Sequence, residues 1–121
     1  MFDLPVLWQI VALLFVHWVA DFVLQTHWQA SNKSKSNNAL LRHIGVYTIV
    51  LAAASIVLFR AEGAPFAAIN GLLHLITDYF TSRASAKRYA KQEWHNFFVI
   101  IGFDQLLHTA ALVLTMQLVI D

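Results

Sequence analysis

The chain has no cysteine, only two prolines and four glycines, and few charges, and each scarcity narrows what it can be. Without cysteine there is no disulfide, thiolate nucleophile, iron–sulfur cluster or Cys-based zinc site. Charged residues make up 12% of the 121 positions, against 59% hydrophobic, and mean hydropathy is +0.60. That is too apolar for a soluble globule of this size, so lipid must be the solvent for most of the chain. No internal repeat or low-complexity tract divides it, and residues 1–121 read as a single integral membrane domain.

What the sequence has in quantity is long apolar stretches, at about residues 6–25, 44–59, 65–82 and 97–120. The first and last are long enough to cross a hydrocarbon layer of roughly 30 Å, and the middle two lie near the lower limit. The expected fold is all-α, a polytopic four-transmembrane-helix bundle. The first stretch lacks a basic leader, follows Asp3 and contains His17 and Asp21, so it is expected to stay in the mature chain rather than act as a cleaved signal peptide. Small residues recur as Ala52, Ala53, Ala54 and Ser55, as Ala67, Ala68 and Gly71, and as Gly102, Ala110 and Ala111, which lets membrane helices approach closely.

Seven of the eight Lys and Arg residues fall in two loops: Lys33, Lys35 and Arg42, then Arg83, Lys87, Arg88 and Lys91. The positive-inside rule places both loops in the cytoplasm, with the amino terminus, residues 60–64 and Asp121 outside, an N-out/C-out topology. Basic loops at a membrane surface follow this rule or touch anionic lipid, so membrane lipid is the expected partner and nucleic acid is not. Residues 26–42, rich in Ser, Asn and Lys, read as a solvated connector. Residues 83–95 interleave Arg88, Tyr89, Lys91 and Trp94 and read as a short helix on the headgroups.

Three helical pairs of His and Asp interrupt the apolar stretches: His17-x3-Asp21, His74-x3-Asp78 and, reversed, Asp104-x3-His108. Spacing by four puts both members of a pair on one helix face. Random placement of six His and five Asp would give roughly half such a pair. The expected topology also sets their depths. From the cytoplasmic ends of their spans, His17, His74 and His108 lie roughly 12 to 16 Å deep at 1.5 Å per residue. Asp21, Asp78 and Asp104 each lie one turn shallower. The reversed order in the last span is what an antiparallel helix needs to join the same two layers. His43 opens the second span at the same end, Gln25 continues the His17–Asp21 series, and Gln105 and Thr77 neighbour it.

Imidazole and carboxylate together suit zinc, iron or manganese, and three protein ligands plus water would make a catalytic zinc site. A divalent metal, zinc first, is the expected cofactor. His17, Asp21, His43, His74, Asp78, Asp104 and His108 are the candidate ligands. Asp21, Asp78, Asp104 and His43 double as candidate catalytic groups, a carboxylate serving as base or a histidine as acid. A cation also answers an energetic difficulty, since an ionised Asp at the bilayer centre costs about 2.5 to 3.5 kcal/mol on insertion scales. The competing reading makes the pairs interhelical hydrogen bonds that lock the bundle.

The segment His17-Trp-Val-Ala-Asp21-Phe-Val-Leu-Gln25 resembles the HxxxDFxLQ opening of a family of small bacterial and phage membrane proteins, domain of unknown function 3307. Lys33 in a polar loop, Leu41-Arg42-His43, His74-x3-Asp78 and Asp104-Gln105-x2-His108 carry the resemblance across almost the whole chain. It implies that these positions form one site in a bacterial inner (cytoplasmic) membrane protein, without naming a reaction. The ligand chemistry is also similar to that of membrane metal hydrolases such as alkaline ceramidases, by analogy of ligand type alone.

The leading expectation is a membrane-embedded, metal-dependent hydrolase acting on a lipid or lipid-linked substrate at the cytoplasmic leaflet. Lys33, Lys35, Arg42 or Arg83 would hold that substrate near the interface. The alternative is a non-catalytic membrane subunit or interaction protein whose His/Asp cluster is structural, in a homo-oligomer or membrane complex. Proton or cation transport is a third reading. Ser55, Asn70, Thr109, Thr115 and Gln117 form no polar ladder toward the other leaflet.

Overall fold

The computed structural model describes residues 4–120. Asp3 and Asp121, which carry the expected outside positions of the two ends, lie beyond the described residues. The architecture is all-α. Helix α1 (Leu4–Trp18) takes Pro5 in its first turn, where a missing N–H does no harm. It continues through a π-helical turn, Val19–Val23, closed by Leu24 N–H donating to the Val19 carbonyl at 2.9 Å.

The polar connector is not plain loop. Thr26 and Gln29 form a capping box, each side chain accepting the other's backbone N–H at 3.1 Å, and start helix α2 (His27–Asn32). Ser36 then caps α3 (Asn37–Phe59) through Ala39 N–H. A 3-10 turn (Arg60–Glu62) leads into α4 (Gly63–Ala90), and residues 91–93 lead into α5 (Trp94–Val119). Residues 83–90 extend α4 without a break, because Ala84, Ala86, Lys87 and Arg88 are good helix formers and leaving the apolar layer does not end a helix.

Pairings across the bundle make each long helix antiparallel to its neighbour. His17 meets Tyr47 and Asp21 meets His43 between α1 and α3. Phe59 packs on Phe66 and Asn37 meets Arg83 between α3 and α4. Asn70 meets Thr115 and Thr81 meets Asp104 between α4 and α5. One end of the interior is mainly apolar, built from Leu13, Leu51, Phe59, Phe66, Leu112 and Met116 with buried Ser55 and the Asn70–Thr115 pair among them, and the other holds the His/Asp residues.

Three segments among the described residues are long and apolar enough to cross a membrane: Pro5–Val23, Asn37–Ala90 and Trp94–Val119. The middle one, 54 residues long, contains both α3 and α4 with the turn between them. Large apolar side chains cover the outside, with Ile49, Val57 and Leu118 between 72% and 84% exposed, a surface suited to lipid rather than water. The protein is membrane-embedded and its outer surface contacts lipid.

The α3–α4 hairpin is tight where its helices meet. A Cβ on Gly63 would run into the Ser55 and Ile56 backbone, whereas one on Gly102 would meet nothing. Gly63→Ala is expected to destabilise the fold by about 1–3 kcal/mol through overpacking that no rotamer relieves. Thermal denaturation in detergent checks this, with Gly102→Ala as control. Equal midpoints for the two variants would contradict the close approach.

Candidate metal centre

Four helices deliver the cluster, each from one face. The α1 rod and its π turn supply His17 and Asp21, α3 supplies His43, α4 supplies His74 and Asp78, and α5 supplies Asp104 and His108. All seven are buried, none more than 7% exposed. The π turn falls on Asp21 itself, a local widening of the kind that helices often carry at functional positions.

Asp21, His43, His74 and Asp78 form one group whose donor atoms all lie within 4.8 Å of one another. His43 Nε2 lies 3.0 Å from Asp21 Oδ1 and 3.4 Å from Asp78 Oδ2, and His74 Nε2 lies 3.3 Å from each of the same two oxygens. These four contacts close a ring of alternating nitrogen and oxygen. The edge of a tetrahedron with metal–ligand bonds of 2.0–2.1 Å is about 3.3 Å, so the ring has the dimensions of a four-ligand site. His74 Nε2 supports the fit: it is buried and close to two carboxylates, yet makes no hydrogen bond.

Asp21, Asp104 and His108 form a second group. His108 Nε2 lies 3.1 Å from Asp104 Oδ2 and 3.3 Å from Asp78 Oδ1. Thr81 Oγ1 donates to Asp104 Oδ1. The Gln105 amide donates to Asp21 Oδ2 at 3.1 Å and to Asp104 Oδ2 at 3.0 Å, tying the two groups together.

His17 stands outside both groups. A carboxylate only accepts, so the Gln105 NH2 must face Asp21 and Asp104, which turns its Oε1 toward His17. His17 Nε2–H therefore donates to that oxygen at 2.9 Å, and His17 Nδ1 accepts from the Tyr47 hydroxyl at 2.8 Å. The result is a one-way chain from Tyr47 through His17 and Gln105 to two carboxylates.

Lys33 enters from the end of α2. Its ammonium lies 3.1 Å from Asp78 Oδ2, one of the four ring atoms, with the side chain 18% exposed. A cavity of about 710 Å³ opens beside it. Lys33, Lys35, Ser31 and Ser82 line its polar side, Phe22, Phe97 and Ile101 its apolar side, and it reaches Asp21, Asp104 and Gln105. Gln25 also lines it, with a buried Oε1 that has no hydrogen-bond partner. His27 stands at its exposed edge and His95 on the surface. The Thr77 carbonyl stands as a second acceptor beside the same Thr81 hydroxyl, whose single proton it shares with Asp104.

Tyr47 and Thr81 escaped the sequence reading. Tyr47 follows His43 by four residues, the interval of the His/Asp pairs, and extending the search to hydroxyl side chains would have found it. Thr81 follows Asp78 by three.

A buried His/Asp cluster able to coordinate a divalent metal, in a membrane-embedded helical protein, is what this geometry amounts to. Comparison with curated proteins and with solved structures returns no match. The family described as Protein of unknown function (DUF3307) matches residues 9–121, which include every residue of the cluster, and the chain belongs to that family.

Proposed function

We propose that this protein is a metal-dependent hydrolase of the cytoplasmic membrane, acting at the cytoplasmic leaflet on a lipid or lipid-linked substrate with an anionic headgroup. The observation that carries the reading is the buried ring of Asp21, His43, His74 and Asp78 atoms beside a cavity that ends on Asp21 and Asp104. A structural site would be closed, whereas this one adjoins a space large enough for a headgroup.

Four crossings, N-out and C-out, fit this reading. Helices α3 and α4 have 23 and 28 residues, each enough for a hydrocarbon layer of about 30 Å. Lys33 and Lys35 line the cavity and Arg83 meets Asn37 at the start of α3, so basic residues mark the end that the positive-inside rule would make cytoplasmic. The apolar outer surface also suits a homo-oligomer or larger membrane complex.

In this reading Asp21, His43, His74 and Asp78 hold the cation, zinc first among candidates for mixed nitrogen and oxygen ligands, with iron or manganese as alternatives. The cation supplies Lewis acidity, polarising a carbonyl or phosphoryl oxygen and making water more acidic. Asp104, oriented by Thr81 and Gln105 and lining the cavity, would take a proton from water as the water oxygen bonds to the substrate carbon or phosphorus, and would return it to the leaving oxygen as the ester bond breaks. His17 positions Gln105. Lys33 and Lys35 bind the anionic headgroup, while Phe22, Phe97 and Ile101 receive apolar chain.

The test is metal-loaded protein in nanodiscs, offered a panel of phospholipids and lipid phosphates, with products read by mass spectrometry. Metal-dependent cleavage of one lipid class is expected, falling about 10²–10⁴-fold in Asp104→Asn. If protein that holds metal cleaves none of the panel, the hydrolase reading fails and the metal site alone remains.

A further inference from the structure

The two donor groups are not independent, and the way they share residues suggests more than one ion. His74 and His108 stack with ring centroids 3.9 Å apart and planes 6° from parallel. Both rings aim Nε2 at the same carboxylate from one side: His74 reaches Asp78 Oδ2 and His108 reaches Asp78 Oδ1, each at 3.3 Å. Asp21 divides in the same way. Its Oδ1 faces His43 and His74, while its Oδ2 shares the Gln105 amide with Asp104 Oδ2.

We propose that the cluster is a two-cation centre, with Asp78 and Asp21 each offering one oxygen to either cation. The proposal rests on the metal-binding reading above and adds number and arrangement to it. His43 and His74 complete one half and His108 and Asp104 the other, Asp104 serving here as a ligand rather than as the base of the single-cation reading; Asp21 is common to both donor groups, and Asp78 Oδ1 reaches the second through its 3.3 Å approach to His108 Nε2. The stacking, with centroids 3.9 Å apart, sets two imidazoles side by side above one carboxylate, as ligands to two ions roughly 3.5–4 Å apart would have to stand. The buried His74 Nε2, aimed at two carboxylates without hydrogen-bonding to either, is a donor the protein's own network leaves free.

Charge then narrows the substrate class. Two divalent cations carry four positive charges against three from ionised Asp21, Asp78 and Asp104, and the Lys33 ammonium in the cavity wall adds one more, so the floor of the cavity is net positive. A phosphate ester balances that charge and can present two oxygens to the pair, as two-metal phosphoryl enzymes use it. A neutral carboxylic ester does neither.

The experiment uses purified full-length protein in detergent, stripped with chelator and reloaded with Mn²⁺ alone. Bound manganese is counted by mass spectrometry and examined by low-temperature electron paramagnetic resonance. About two manganese ions per chain with an exchange-coupled signal are expected, as a shared carboxylate at this separation requires. Asp104→Asn should hold one ion with an uncoupled signal. One ion in the wild type overturns the two-cation proposal and leaves the single-metal reading standing. Two ions without coupling overturn the shared-carboxylate arrangement, and folded protein that takes up neither manganese nor, in a parallel reload, zinc or iron overturns both readings.

Discussion

Asn in place of Asp21 is expected to empty the centre, whereas changes at residues that only orient ligands should weaken it. Asp21 is the residue common to both donor groups, and its two oxygens face opposite ways within the cluster. Asp21→Asn keeps the shape and one carbonyl oxygen but removes the charge that His43 Nε2, His74 Nε2 and the Gln105 amide face. Changing a residue that holds a ligand costs about ten- to a hundredfold in metal affinity. Gln105→Leu should fall in that range, since Gln105 only steers Asp21 and Asp104. Asp21→Asn should lose more than about a hundredfold, because a ligand itself has gone. Competition against a coloured chelator measures both variants. Equal losses in the two, or wild-type affinity in Asp21→Asn, would remove Asp21 from the metal's coordination.

The second large effect should run the other way. Lys33 places an ammonium 3.1 Å from Asp78 Oδ2, an oxygen that also belongs to the four-atom ring. A unit charge and a divalent cation about 4 Å apart repel by several kcal/mol even at an effective dielectric constant near 20. Lys33 therefore acts as a tethered countercharge for metal-free Asp78 and must withdraw when a cation enters. Lys33→Met should tighten metal binding by about tenfold or more, each factor of ten being about 1.4 kcal/mol. The same variant should lower the melting midpoint of stripped protein, because Asp78 is left as a buried charge without its cation, and added metal should restore it. Weaker metal binding in Lys33→Met would show that the amine supports the site rather than competing for it.

The pairs on α1, α4 and α5 were legible because spacing by four means the same thing in every helix. The reversal in α5 was legible because an antiparallel helix must reverse its motif to reach the same layer. The structure gathers Asp21, His43, His74, Asp78, Asp104 and His108 from positions up to 87 residues apart, as Asp21 to His108. Other features had no sequence signal of that kind. Whether His17 turns toward the carboxylates or toward Tyr47 and Gln105 is decided by the acceptor demand of two Asp residues on an amide 88 positions away. The π turn at Val19–Val23 rotates the very residues whose facing had to be inferred from ideal helix geometry. Helix α2 sits in Ser-, Asn- and Lys-rich sequence, where hydropathy carries no information, although Thr26 and Gln29 spelled its capping box. Hydropathy marks where lipid ends, and α3 and α4 run on past that limit because their propensity continues.

The central claim is that the His/Asp cluster holds metal, and elemental analysis of the detergent-purified protein tests it most directly. Wild type is compared with His74→Ala and Asp104→Asn, with a mock purification as blank. Near-stoichiometric or higher zinc, iron or manganese is expected in the wild type and less in both variants, with the larger loss in His74→Ala. Folded wild type that carries no metal, and takes up none when zinc, iron and manganese are offered, would contradict it and leave the cluster as a hydrogen-bonded lock between helices.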